Sequence, residues 1–293
     1  MNALARGHLA MLLFSALVAG SFSLGSMTAN EIAPAALNAL RFLIAAVVIG
    51  VAALATKGLP RDAWRAPWRY LVLGGLFAAY FVLMFEGLKT AAPISTAAVF
   101  TLTPLMSAGF GYLLLRQILT ARMAVALSIG AAGALWVIFR ADWAAFLQFR
   151  VGQGEIYYFW GCMAHAIYTP MVRKLNRGEH PVVFTFGMLI AGFVILLVYG
   201  WSDIRATDWV ALPGIVWITA FYLAIFASAA TFVLLQFATM KLPSAKVMAY
   251  TYLVPSWVIC WEIILGHGAP TGLVLVGVAM TVAALLLLLR NEH

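Results

Sequence analysis

The chain has 293 residues, of which 65% are hydrophobic and only 10% charged, with a formal net charge of +8. A soluble protein of this length carries about 25% charged residues, and no soluble core could hide so much apolar surface, so soluble classes are excluded. In a membrane chain a positive balance collects in the loops of one face, so it does not point to a nucleic-acid partner, and none is expected.

Apolar runs between charge and Gly/Pro punctuation predict ten spans of about 20 residues. They lie near 9–27, 35–55, 70–88, 93–115, 121–139, 155–173, 182–201, 213–239, 244–265 and 271–289. The first reads as a membrane helix and not a removed signal peptide, because the run is long for one and "SMTANEIA" is a poor cleavage context. The second span carries Asn38 and Arg41 one turn apart. The third presents Tyr80, Met84 and Gly87 on one side, with Glu86 near its end; the fourth carries Thr101 and a mid-span Pro104. In the sixth, Glu155 opens the span, and Tyr157, Gly161, His165 and Tyr168 follow i, i+4, i+8, i+11, one side of a helix. The ninth shows Lys246, Tyr250, Trp257 and Trp261 on one side, a mid-span Pro255, and Glu262 near its end. Cys162 and Cys260 fall inside apolar spans and read as small core hydrophobes. No Cys/His cluster has metal-ligand spacing, so neither metal nor cofactor is expected.

The basic residues test the count. With the N-terminus inside, thirteen of the 18 Lys and Arg fall on inner loops and ends, among them Arg6, Lys57, Arg69, Lys241 and Arg290. Four, Lys89, Arg140, Arg150 and Arg205, fall outside, and Arg41 lies within a span. That bias predicts both termini on the cytoplasmic side.

The chain also repeats itself. "AAYFVL" at 78–83 returns as "AATFVL" at 229–234, 151 residues later, and Ala98, Leu102 and Pro104 match Ala249, Leu253 and Pro255 at the same spacing. The expected halves are 1–150 and 151–293. Five helices is an odd number, so the second half enters from the opposite face. The predicted fold class is therefore an all-α polytopic membrane protein of ten transmembrane helices arranged as two inverted five-helix repeats. Such repeats build secondary transporters with a midplane site and two states of similar energy. Pro104 and Pro255 each remove a backbone hydrogen bond; each is either a static kink or a hinge beside the cavity.

At this point the sequence resembles a known group. "NALRFLIAAVVI", "GLKTAAPISTAAVFTLTPLMSA", "AHAIYTPMVRKL" and "ATMKLPSAKVMAYTYLVPSWVI" look like the helix-two, three-to-four, six and eight-to-nine segments of the drug/metabolite transporter superfamily, in its ten-helix EamA branch. The resemblance spans nearly the whole chain. It implies two five-helix halves around a central cavity, with helices five and ten peripheral. Within the branch the chain is similar in size and helix count to bacterial amino-acid exporters, including aromatic amino-acid exporters. The chain departs from the family pattern where an acid often ends helices four and nine, here Gln117 and His267, and where the first helix often carries a Trp-Gly pair, here Ala19-Gly20.

These readings give candidate site residues. Tyr80, Met84, Thr101, Tyr157, His165, Tyr168, Tyr250 and Trp257 are expected to line a substrate cavity. Aromatic walls with a few polar tips suit an amphipathic solute; the alternative is that the rings pack the bundle or meet lipid. His165 either lines the cavity, carries a proton, or is a buried histidine bonded to a carbonyl. Arg41, with Asn38 on its face, is expected to pair with Glu86 or Glu262 as an outer gate or a structural tie; the other reading gives its guanidinium to a substrate carboxylate. The function expected is export of a small amphipathic metabolite, an amino acid, across the bacterial inner membrane by a monomer in the lipid bilayer. Facilitated diffusion and proton antiport both stay open. A cation-drug exporter would want a deep acid beside aromatics, and an embedded enzyme would want paired titratable groups at one depth; the sequence offers neither.

Overall fold

The computed structural model describes residues 3–148 and 151–289; Arg150 and Arg290 lie outside them. The described residues form helices and connections. Nine helical stretches among them are long and apolar enough to cross a membrane. A further helix, Gln153–Leu175, is 23 residues long. It is less apolar than the nine because its middle carries Tyr157, Tyr158, Trp160, His165, Tyr168, Thr169 and Pro170, with Glu155, Arg173 and Lys174 near its ends.

In chain order the helices are α1 (Ala3–Thr28), α2 (Pro34–Thr56), α3 (Trp68–Leu88), α4 (Pro93–Phe100), α5 (Thr103–Leu115), α6 (Ala121–Ile138) and a short α7 (Trp143–Leu147). There follow α8 (Gln153–Leu175), α9 (Pro181–Tyr199), a short α10 (Trp201–Ala206), α11 (Gly214–Ala224), α12 (Thr231–Thr239), α13 (Ser244–Ala249), α14 (Val254–Ile264) and α15 (Gly272–Leu289). Proline at the first turn starts α2, α4, α5, α9 and α14, where its missing N–H has no partner to lose.

The spans predicted at 93–115 and 244–265 are broken helices. α4 stops at Phe100, and α5 restarts with Pro104 in its first turn. Proline cannot donate to the carbonyl four residues back; the Thr103 hydroxyl donates to that carbonyl, Phe100, instead. In the second break a 3₁₀ turn, Tyr250–Leu253, joins α13 to α14 ahead of Pro255. The Thr281 hydroxyl of α15 lies between the Tyr252 carbonyl there (3.0 Å) and the Val278 carbonyl of its own helix (2.7 Å), sharing its one proton between them. Thr281→Val is expected to lower stability by about 1 kcal/mol, read from thermal unfolding of the detergent-solubilised chain; an unchanged midpoint would show that this carbonyl needs no partner. The span predicted at 213–239 is interrupted without proline or glycine, by a π turn at Ile225–Ala230 between α11 and α12. Such turns leave backbone carbonyls free for outside donors.

The helices before residue 148 pack mainly against those after 153: α3 against α8 and α9, α2 against α9 and α11, α1 against α12 and α14, α5 against α13, and α6 against α15. Small residues permit the closest crossings. A Cβ on Gly133 would lie 2.6 Å from the Gly277 carbonyl oxygen, joining α6 to α15, and one on Gly87 would lie 2.6 Å from that of Gly154, joining α3 to α8. Gln117 accepts from the Ser244 N–H (3.1 Å), tying α5 to α13 on the side that holds residue 3, the near side. Trp136 Nε1 donates to Leu273 O (2.9 Å) on the far side. Cys162 is buried as expected, but Cys260 is exposed on the apolar rim of α14 and is no core residue.

Candidate functional site

The α1, α3, α8 and α12 helices meet in an aromatic cluster at mid-depth. Phe77 of α3 lies 3.9 Å from Tyr168, 4.4 Å from Phe232 and 5.2 Å from His165, between ring centroids. Phe81 stacks on Phe232 at 5.8 Å. Within this cluster is a small chamber walled by Phe14, Val18 and Ser21 of α1, Phe77, Tyr80, Phe81 and Met84 of α3, His165 of α8, and Ala227, Thr231 and Phe232 of the π turn and α12. Its free space is about 10 Å³, room for roughly one water molecule. Tyr80, Met84 and His165, three of the residues expected at a substrate cavity, are on its wall.

The polar groups around the chamber are incompletely paired. The Tyr80 and Tyr158 hydroxyls bond each other at 2.9 Å. His165 is 1% exposed and ringed by Tyr80, Phe77 and Phe100; its Nδ1 has no hydrogen-bond partner, and neither does the Ser21 hydroxyl. Buried polar atoms are nearly always hydrogen-bonded, so each exception asks for an explanation.

The other predicted residues fall elsewhere. Tyr157 is 45% exposed. It sits about 80° around α8 from His165, whereas Tyr158, which the sequence reading passed over, sits about 20° away and is fully buried. Tyr168 is in the aromatic cluster but not on the chamber; its hydroxyl donates to Met188 Sδ (3.0 Å) and accepts from Gln236 (3.3 Å). The Thr101 hydroxyl is turned back on its own helix, to Ala98 O (2.6 Å). Trp257 is 37% exposed and donates to Ser15 on α1 (3.2 Å). Tyr250 bonds His8 Nδ1 (3.0 Å), tying α1 to the break before α14. Asn38 donates to Pro34 O (2.9 Å), holding the first turn of α2.

The expected pairing of Arg41 with Glu86 or Glu262 is overturned. Glu86 bonds Lys89 one turn on (2.8 Å), and Glu262 bonds His267 (3.0 Å). Arg41 is fully buried and reaches the π turn, donating from Nε to Ser228 Oγ (2.5 Å) and from Nη2 to Ala227 O (2.7 Å). Its guanidinium carbon lies 3.6 Å from the centre of the Phe81 ring. The Ala227 carbonyl within the π turn is an acceptor that sequence reading could not foresee, because "IFASAA" contains no helix breaker. On the far side the nearly buried Glu155 accepts from Ser95 (2.7 Å), linking α8 to α4.

A wider cleft of about 720 Å³ opens on the near side between α1, α12 and the α8–α9 connection. Its apolar walls include Leu9, Leu13, Val233 and Leu234, and its rim carries Arg6, Lys241, Glu179 and His180. Leu13 stands one residue before Phe14, and Val233 one after Phe232, so the cleft reaches nearly the depth at which the chamber begins. At the rim Glu179 accepts from Arg69 (2.6 Å), itself buried. Burial pulls the Glu179 carboxyl upward, but the Arg69 hydrogen bond, backbone N–H donors and the Arg69 charge outweigh it and hold it below the usual carboxylate value. Burial, helped by Lys57, pushes the His180 imidazole downward, which keeps Nδ1 an acceptor for the Val182 N–H at the start of α9 (3.4 Å).

Broken helices around an aromatic chamber at mid-depth, with a separate cleft on the near side, match the architecture of membrane carriers. The EamA-like transporter family model matches the chain twice, over residues 5–139 and 152–290, and the chain belongs to that family. It is similar to the uncharacterized transporter YyaM of Bacillus subtilis (strain 168), 24% identical over 251 residues, covering 85% of this chain and 82% of the relative. A solved structure described only as the crystal structure of a protein shares the fold, with a TM-score of 0.72 at 23% identity over 98% of this chain and 96% of the other. The chain is a multi-pass membrane protein of a secondary-transporter family.

Proposed function

We propose that this chain exports small amphipathic metabolites, amino acids foremost, across the bacterial inner membrane by alternating access around the aromatic chamber. The observation that carries the reading is the chamber itself: an aromatic space at mid-depth whose wall holds His165 and Ser21 atoms without a hydrogen-bond partner among the described residues. Aromatic walls bind the apolar part of a solute, and the unpartnered atoms meet its polar part. The working unit is two five-helix halves, 1–150 and 151–293, of inverted topology, with both termini cytoplasmic. In its support, the family model matches twice, both halves break at a matched proline, and Tyr80 and Phe81 face Thr231 and Phe232 across the chamber at a spacing of 151 residues. Pro104 and Pro255 are then the hinges. The conformation described opens its cleft to the near side, and Tyr80–Tyr158, Ser95–Glu155 and the Arg41 contacts close the far side.

No Asp or Glu lines the chamber, which argues against a cation-drug exporter, since such cargo wants a deep acid. The same feature favours facilitated flux over proton exchange. Labelled amino-acid efflux from proteoliposomes, with and without a pH gradient, tests the reading. Saturable flux that ignores the gradient is expected, and His165→Ala should raise the half-saturating concentration roughly five- to tenfold, the worth of about one buried hydrogen bond. Absence of saturable flux for every amino acid would sink the assignment, and unchanged affinity in the variant would remove His165 from the site.

A further inference from the structure

Arg41 is fully buried, yet it forms an ion pair with no carboxylate among the described residues. A guanidinium has five N–H donors in a fixed plane. Nε and Nη2 engage the π turn, at Ser228 and Ala227, from one edge of that plane, and Nη1 has no hydrogen-bond partner among the described residues. The end of the fork, one N–H from Nη1 and one from Nη2, is therefore free. That edge can receive a carboxylate through two parallel bonds.

The position is also right. Phe81, under the guanidinium, and Ala227, bonded to it, both line the chamber, so Arg41 stands directly behind its wall. A buried cation without a counter-charge is costly, and the Phe81 face and two acceptors compensate it only in part. An anionic group on the cargo supplies what the protein omits. The converse holds for a cationic group: with no Asp or Glu on the chamber wall, an ammonium finds no ionic partner there.

Resting on the carrier reading above, we infer that Arg41 takes the carboxylate of the cargo and that the cargo class is apolar and aromatic monocarboxylates, recognised by acid group and side chain without the amino group. Amino acids belong to this class, and so do their hydroxy-acid counterparts. For binding, the chamber widens and the Phe81 ring turns off the guanidinium.

The full chain in liposomes tests this with efflux of phenylalanine, 3-phenyllactate, phenylalaninamide and phenethylamine, and of leucine against leucinamide, each corrected for protein-free liposomes. Both phenyl acids and leucine should leave saturably. The amides and the amine should leave at least about tenfold more slowly, the worth of a charge-assisted pair. Arg41→Gln should lower acid flux by at least about tenfold, with part of it restored in Arg41→Lys. Amides carried as fast as acids, or acid flux unchanged in Arg41→Gln, would overturn the inference and leave the carrier reading standing. Phenyllactate excluded while phenylalanine passes would overturn the indifference to the amino group. Flux of none of the six would overturn the carrier reading itself. If Arg41→Gln fails to fold, the acid-against-amide comparison on the unmodified chain decides.

Discussion

Replacing Arg69 with methionine should lower the stability of the solubilised chain by about 3–5 kcal/mol, the usual effect of breaking a buried ion pair from one side. The guanidinium is 1% exposed and its partner carboxylate 8%. It also donates to Leu175 O (2.6 Å) and, more weakly, to Ala66 O (3.2 Å) and Ala63 O (3.3 Å). One side chain thus joins the end of α8, the start of α3 and the turn before it to Glu179 on the rim of the near-side cleft. Methionine fills much of the space but leaves those acceptors and the carboxylate without donors. The pH dependence has a definite sign. Glu179 titrates below its usual value of 4.5 when folded, so its contribution is complete above that value and is lost as the pH falls through the lower folded value. The unmodified chain should lose this part of its stability in acid, and Glu179→Gln should remove that part of the slope. A thermal midpoint unchanged by Arg69→Met would show that the network holds nothing together.

The second large effect is expected at the α3–α8 crossing. Gly87→Leu places side-chain atoms where the Gly154 backbone now lies, with the first of them 2.6 Å from its carbonyl oxygen and 3.1 Å from Tyr158 Cβ. Backbone cannot swing aside as a long side chain can, so the helices must separate, at a cost of about 1–3 kcal/mol or more. Two turns away this crossing holds Tyr80 against Tyr158, so transport should fail along with stability. Gly109→Ala is the control, because a Cβ there meets nothing within 4 Å; it should leave both unchanged. Wild-type flux in Gly87→Leu would mean that the crossing does not position the chamber.

Much of this was legible in the sequence, for identifiable reasons. Apolar run length is a direct readout of bilayer thickness, so the long helices fall where predicted, and proline marks both broken spans. Tyr80, Met84 and His165 reach the chamber because helical phase projects side chains reliably over one or two turns. The reading failed where phase was counted over a longer stretch, which chose Tyr157 over Tyr158, and where a polar group had a local acceptor that composition does not reveal. Thr101 and Asn38 turn back on their own helices, and Glu86 and Glu262 find bases one turn along. Arg41 was paired with acids because a buried charge calls for one; its acceptors are a serine and a backbone carbonyl in a π turn that no residue type announces.

That carbonyl has a history written in residue spacing. Beyond the π turn, buried positions on α12 match those of α3 at a spacing of 151: Tyr80 and Phe81 with Thr231 and Phe232. Ahead of it the buried pair Leu73 and Gly74 matches Leu223 and Ala224 at a spacing of 150. On the two-half reading proposed above, the second half carries one more residue than the first, and the wide turn lies where the spacing changes. A single inserted residue in an unbroken α-helix would rotate everything after it by about 100° and turn the chamber wall toward lipid. On that reading, confining the surplus to one wide turn keeps the wall in place and sets the Ser228 hydroxyl and Ala227 carbonyl where Arg41 reaches them. Deleting one alanine from Ala229–Ala230 should thus restore a regular helix with the wall still facing inward and cost Arg41 its seat.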